Sequence, residues 1–469
     1  MPRPVRSTPF ALFIALVVLA AAIAVAAGIA SAALGRVTSI LSPPGADGPS
    51  DNVAFSQDGR DVRYIAYDST ASNIVSGDTN QRRDVFVLAR SQPGTSANFQ
   101  GTTSIVSVTN TGQPANGDSQ KPIMDGGSSP HCIVFESTAT NLDNHDNNTD
   151  SDIYIRDLKR KTTKLVSLGL ANAHNASIDT KCTVVAFDAN GAVWIRDLVK
   201  QKTARIAGGT NPDLQSNGKG VAYVRGAHIY YQAFVRKFRA GNNFVKLGRE
   251  VAVDRNQSGQ MGSGTSANPV MDDNGYFVAF ESTSTNLCQP EVCAGIGSGS
   301  GRFTGLSQIY RRTIDPKKAP SHDYMQVASY SQGCSASSPN AKEVDQLGDG
   351  QSNNPSITGA GENIVFDSQA DNLYEPGRSP RSADPNGREV RDIYYWNFPR
   401  GRKCGNVSRE SRDDTSSVPG APYNGDSTYP AASNRANFIG FTSTETGVAG
   451  EQNGKDLADA FVRFLGGGP

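Results

Sequence analysis

The chain has 469 residues, in which 45 Lys and Arg are matched by 45 Asp and Glu. That balance excludes the basic footprint of a typical nucleic-acid binder, and a hydrophobic share of 37% excludes disorder as the main state. With 48 Gly and 25 Pro, the chain is punctuated by turns rather than built of helices.

Residues 1–32 predict an export signal. Arg3 and Arg6 precede an Ala-rich apolar run from Phe10 to Gly28, and Ala30-Ser31-Ala32 is a small-residue cleavage site. The run is also long enough to cross a bilayer, so an uncleaved N-terminal anchor is the alternative, with no other membrane association expected. The expected location is therefore secreted or periplasmic, at the cell envelope. An oxidising compartment suits the six cysteines, Cys132, Cys182, Cys288, Cys293, Cys334 and Cys404.

Residues 33–469 repeat. The clearest unit runs from Gly117 to Leu168: a G-D-S-Q-K-P approach, the strand CIVFES, an Asp/Asn loop, the strand DIYIRDL and the strand TTKLVSL. In chain order the second-strand anchors are Tyr67, Phe135, Phe187, Tyr223, Phe280, Phe366 and Phe441. The third-strand anchors are Phe86, Tyr154, Trp194, Tyr230, Tyr310, Tyr394 and Phe461. Short apolar runs bounded by Gly, Asn and Asp are strands and turns. Seven such units predict an all-β, seven-bladed β-propeller, with six or eight blades as the alternatives. The last unit stops after its third strand, and Arg36 to Leu41 (RVTSIL) supplies a fourth, so the N-terminal strand is expected to close the ring.

The order DG-x-x-V-A-F, D-I-Y-V-x-D-L, T-x-L-V-S over about residues 35–464 resembles the TolB-type propeller repeat, a relative of WD-repeat blades. The resemblance implies the fold and leaves function open, because such blades serve binding, scaffolding and catalytic chains alike. The likeness is to secreted proteins built only of these blades, since seven units are counted and no separate N-terminal α/β domain precedes them.

In a four-strand antiparallel blade, the second-to-third loop and the blade-to-blade loop share one face. The longest predicted loops fall there, at about Thr283–Ser307, Gln369–Arg391, Ser331–Asn353 and Arg409–Thr428. The two middle units have only tight turns on that face, at Ala189–Ala192 and Arg225–His228. Long loops on a rigid scaffold concentrate binding.

Candidate chemistry is sparse. Four second-to-third loops carry an acid, Asn, then Asp: Asp78/Asn80/Asp84, Asp146/Asn148/Asp152 (with Asp150 between), Asp384/Asn386/Asp392 and Glu451/Asn453/Asp459. Oxygen side chains in this arrangement suit calcium. They equally suit Asx turns that bond their own backbone. No other cofactor is indicated. The five histidines fall on different repeat positions, and there is no G-x-S-x-G, H-E-x-x-H or C-x-x-C. Funnel-facing segments such as Ile123-Met124, Val270-Met271 and Pro355-Ser356-Ile357 are apolar and small. Repeat position suggests the disulfides Cys132–Cys182, Cys288–Cys293 and Cys334–Cys404.

The expected function is a non-catalytic propeller that binds a protein or glycan through its long-loop face, with no nucleic-acid partner. The alternative is an extracellular polymer-degrading hydrolase or lyase with paired carboxylates in the funnel loops.

Overall fold

A computed structural model describes residues 37–43, 45–59, 61–94, 99–124, 131–235, 246–256, 258–287, 305–314, 325–330, 347–373, 390–398, 406–413, 421–422, 425–445 and 457–466. Residues 1–32, the expected leader, lie outside them. Among the described residues the only helical turn is Asp371–Leu373, and no helix is long and apolar enough to cross a membrane.

Seven four-stranded antiparallel sheets follow one another along the chain. Blade 1 is Ser50–Phe55, Tyr64–Ser69, Asp84–Arg90 and Gly101–Ile105; blade 2 is Ser119–Met124, Cys132–Ser137, Asp152–Asp157 and Thr162–Leu165. Blade 3 is His174–Ile178, Val184–Ala189, Ala192–Asp197 and Lys202–Ala207; blade 4 is Gly209–Leu214, Gly220–Arg225, His228–Val235 and Lys246–Ala252. Blade 5 is Ser266–Met271, Phe277–Ser282, Gln308–Thr313 and Met325–Val327; blade 6 is Ser352–Ile357, Asn363–Ser368, Asp392–Asn397 and Asn406–Arg409. Blade 7 takes Ser427–Ala432, Phe438–Ser443 and Asp459–Phe464 from the C-terminal end and Val37–Ile40 from the N-terminal end. The protein is a seven-bladed β-propeller closed by its N-terminal strand, as expected. A two-stranded hairpin, Arg412–Asp413 with Ala421–Pro422, follows blade 6.

All seven anchor pairs are direct cross-strand neighbours: Tyr67 with Phe86, Phe135 with Tyr154, Phe187 with Trp194, Tyr223 with Tyr230, Phe280 with Tyr310, Phe366 with Tyr394 and Phe441 with Phe461. Six of the pairs stack with ring centroids 5.5 to 6.2 Å apart. Such pairs hold the middle of each sheet. The core is not one mass but a circle of layers between adjacent blades. Val85 and Val87 of blade 1 pack with Ile133 and Phe135 of blade 2. Phe438, Val462 and Phe464 of blade 7 pack with Phe55 and Ile65 of blade 1.

Each inner strand carries the same backbone break. The third residue of the strand, or the second in blade 3, lies in the left-handed region: Asn52, Lys121, Asn175, Asn211, Asn268, Asn354 and Tyr429, with φ from 47° to 55°. The pairing register to the second strand shifts at each of these points, so each is a β-bulge. Asn occupies five of the seven because it tolerates this region best after Gly. Lys121 and Tyr429 hold it at a cost. The preceding Gly-x-Ser of the repeat has its own reasons. A Cβ on Gly117 would sit 2.7 Å from the Thr138 carbonyl carbon, and the Ser119 and Ser137 hydroxyls bond at 2.9 Å.

Closure is chemically reinforced. Val37–Ile40 pairs with Phe464–Phe461 in register. Arg463, fully buried, donates from Nε to Glu410 of blade 6 at 2.8 Å and from a terminal nitrogen to the Thr38 hydroxyl at 2.8 Å. One guanidinium thus ties blade 6, blade 7 and the closing strand.

Two changes probe these features. Tyr429→Asn relieves a left-handed tyrosine and is expected to stabilise by about 1 kcal/mol in chemical denaturation. Glu410→Ala leaves the Arg463 charge buried without its carboxylate and is expected to destabilise by roughly 3–5 kcal/mol in the same assay.

Candidate functional site

At the long-loop end of the central channel, one position in the second strand, just before its last residue, serves the bulges of the inner strands. It is Asp68, Glu136, Asp188, Glu281 and Asp367 in blades 1, 2, 3, 5 and 6, but Val224 in blade 4 and Thr442 in blade 7. Each acid reaches the next blade or its own bulge. Asp68 accepts the Lys121 N–H (2.8 Å), Glu136 the Asn175 N–H (2.8 Å), Asp188 the Asn211 N–H (2.6 Å) and Glu281 the Asn354 N–H (2.8 Å). The Asn52, Asn175 and Asn354 carboxamides donate to Asp68, Asp188 and Asp367 of their own blades. Arg83 pairs with Asp51 and Asp68, Arg391 with Asp367, and Lys121 with Glu136. Burial pushes Asp68 and Asp367 up to about 6 despite these partners.

Below the mouth lies a cavity of about 430 Å³. Its walls include Pro122, Ile123, Met124, Val270, Met271 and Ile357, the apolar segments expected to face the funnel, but also the polar Asn52, Lys121, Asn211, Asn268 and Asn354. At the base, Asp273 accepts from the Ser216 hydroxyl and the Asn434 carboxamide, each at 2.5 Å. Its N–H donates to the Gly359 carbonyl, and the Gly359 N–H donates to the Asn434 carbonyl. Turns from blades 4, 5, 6 and 7 are thereby drawn together across the short-turn end. Asp213, pushed up to about 6 by burial, accepts from the Ser177 hydroxyl at 2.8 Å and the Met271 N–H at 2.7 Å.

A larger hollow, about 1060 Å³, runs along the outer edges of blades 2 and 3. Its apolar lining includes Ile155, Leu165, Leu168, Leu198 and Val199; Leu168 is 37% exposed and Val199 72%. Arg160, Lys164, Lys181 and Arg196 stand around it. Of the acids that line it, Asp157 is held by Arg160 at 2.7 Å. Asp143 accepts the Leu165 N–H at 3.0 Å and lies 2.6 Å from the His145 ring. The Leu165 and Thr163 N–H groups of the outer strand are taken by Asp143 and Asn110, which closes these edge donors to another strand. The expected Cys132–Cys182 disulfide is formed in this wall, with Cα atoms 6.1 Å apart. The other four cysteines lie outside the described residues.

The acid/Asn loops divide. In blade 2, Asp146 accepts the Asn148 N–H and the Tyr154 hydroxyl, Asn148 accepts the Asp150 N–H, and Asp152 accepts from the Ser167 hydroxyl and the Asn148 carboxamide. These are Asx turns with a tyrosine cap. In blade 1, Asn80 is engaged by the Arg82 N–H and the Ala115 carbonyl. Asp78 is buried with no hydrogen bond to either oxygen, and Asp84 uses only Oδ1, to Ser107. Asp384, Asn386, Glu451 and Asn453 lie outside the described residues, as do most of the four long loops. The remaining Asp of each pattern is a structural clamp: Asp84, Asp152, Asp392 and Asp459 accept from Ser107, Ser167, Ser411 and Ser42 after the fourth strand. The tight turns of blades 3 and 4 are present, with Ala189 paired to Ala192 and Arg225 to His228.

No family model matches the chain, and no curated protein matches it. Among solved structures it is similar to an oligogalacturonate lyase in complex with manganese (TM-score 0.47, 10% identity, covering 92% of this chain and 97% of that one). It is also similar to the β-propeller domain of the Trilobed protease from Pyrococcus furiosus (0.42, 11%, 88% and 95%) and to TolB from Acinetobacter baumannii (0.32, 10%, 76% and 80%). Likeness at this level speaks of the propeller fold alone.

Asp68, Asp213, Asp272 and Asp367 all hold their protons up to about 6 because they are buried. Each binds a proton more tightly folded than unfolded. Their contribution to stability is therefore complete below the ordinary carboxylate range and is lost as pH rises through about 6. Asp143 and Asp157 are shifted down but lie nearer the surface, where solvent screens them. The melting temperature in chelator is expected to be higher at pH 5.5 than at pH 7.5, as read by calorimetry.

Proposed function

We propose that the chain is an exported, non-catalytic propeller that binds a protein or glycan partner, and that the hollow along blades 2 and 3 is a principal contact surface. The observation that carries this reading is the pairing of exposed Leu168 and Val199 with the surrounding Arg160, Lys164, Lys181 and Arg196. An apolar lining that is continuous and rimmed by charge marks an interaction surface, where single exposed apolar residues do not. The cations favour an anionic partner, an acidic glycan before others. Lys164 and Lys181 are exposed at the chain surface, so a ligand meets them without first breaking the core.

The rival reading, cleavage of an extracellular polymer, needs an acid–base pair facing a substrate. The mouth carboxylates are instead spent on bulge amides, Asn carboxamides and Arg or Lys partners. Asp213 and Asp273 are likewise engaged by their neighbours.

Affinity electrophoresis through gels cast with acidic or neutral glycans tests the proposal. Retardation by acidic glycans is expected, and Lys164→Glu with Lys181→Glu should weaken it about tenfold or more. Val199→Asp should weaken it without altering the melting temperature, because the side chain is exposed. Release of new chain ends from any of these glycans by the wild-type protein would refute the non-catalytic part.

A further inference from the structure

We propose that the second-to-third loop of blade 1 holds a hard divalent cation, calcium, between the Asp78 and Asp84 carboxylates. This rests on side chains remote from the hollow of blades 2 and 3 and does not depend on the function proposed above.

Blades 1 and 2 carry the same acid, Asn and Asp at the same spacing, so one serves as a control for the other. In blade 2 the first acid, Asp146, is capped by the hydroxyl of Tyr154, which stands two residues into the third strand. The corresponding residue in blade 1 is Phe86, the register partner of Tyr67. Phe86 has no hydroxyl, and the hydrogen-bond donor is gone while the acid remains. Asp78 is 8% exposed, both of its oxygens are buried, and neither has a hydrogen-bond partner. The Asn80 N–H lies near enough to favour its ionised form but not at bonding geometry.

Asp84, fully buried at the start of the third strand, also leaves one oxygen, Oδ2, without a partner. Burial raises the pKa of Asp84, and the negative charge of Asp78 in the same loop raises it further. Three buried carboxylate oxygens make no hydrogen bond at bonding geometry, although the Asn80 amide lies near Asp78 and its carboxamide near Asp84. In blade 2 the corresponding Asn148 amide and carboxamide close their bonds, and the Tyr154 phenol, which blade 1 lacks, adds a third.

A cation satisfies what the missing phenol does not. Calcium takes six to eight oxygens and accepts carbonyls and waters alongside carboxylates, which suits a loop with only two inward acids. Among the described residues no three His, Cys, Asp or Glu side chains converge, so a zinc-type site with three protein ligands is not the chemistry offered. Asp47 and Asp118 lie at the periphery, where they add negative potential: Asp47 to Asp78 and Asp118 to Asp84. Both have partners of their own in Ser72 and the Arg83 N–H.

The test is calcium titration of the chelator-treated full chain by calorimetry, with melting curves in excess calcium and in excess chelator. The expected result is binding of about one equivalent at millimolar affinity or tighter, with a raised melting temperature. Asp78→Asn is expected to weaken binding by roughly tenfold or more. Phe86→Tyr, which restores the blade 2 arrangement, should weaken it without removing any acid, and it keeps the test open if Asp78→Asn fails to fold. Asp150→Asn in blade 2 should leave binding unchanged. Absence of heat and of any melting shift overturns the proposal. So does binding that survives both blade 1 changes, or that is lost with Asp150→Asn.

Discussion

The ring depends on a residue held in the left-handed region near the start of every inner strand. The bulge turns that strand toward the axis and frees its N–H from the sheet. A buried amide without a partner is costly, and at four junctions the preceding blade supplies a carboxylate for it: Asp68 for Lys121, Glu136 for Asn175, Asp188 for Asn211 and Glu281 for Asn354. Local backbone geometry and contact between blades are thus one device. Where the acid is lacking, as at Val224 of blade 4, the blades are joined through side chains: the Asn211 carboxamide donates to the Asn268 side-chain oxygen of the next blade at 2.6 Å, a bond that does not serve the bulge N–H.

The same device explains why acidic side chains at a channel mouth need not signal catalysis. A carboxylate that accepts a neighbour's amide and its own blade's carboxamide is oriented by two blades at once. Burial raises Asp68 and Asp367 to about 6, a value that in isolation would suggest an acid–base group. Their partners give the plainer reading: these are mortar between blades.

Much of the architecture was legible in the sequence because it repeats. The seven aromatic pairs, the closing strand and the Cys132–Cys182 bridge follow from matching positions between units. The roles of the polar residues did not follow. The acid in FES of blades 2 and 5 accepts a main-chain N–H 39 and 73 residues onward, in the next unit, so no single unit displays its partner. The Asp that opens the third strand in blades 1, 2, 6 and 7 resembles a metal ligand in sequence, yet it bonds a Ser beyond the fourth strand. Even the acid/Asn loops, alike in sequence, part company through one atom. Tyr154 brings an oxygen that Phe86 lacks, and the repeat pattern marks both simply as core anchors.

The floor of the central cavity has a consequence for what can use it. Ser216, Asp273, Gly359 and Asn434 knit turns of four blades beneath the apolar walls. These bonds join four of the seven blades and narrow that end, so the cavity suits the tip of a chain or a compact group better than the length of a polymer. The hollow along blades 2 and 3 lies on the rim of the ring, outside that restriction. A long polymer could lie across it at any point along its length. One molecule therefore offers two geometries of access, one that reads ends and one that reads contour.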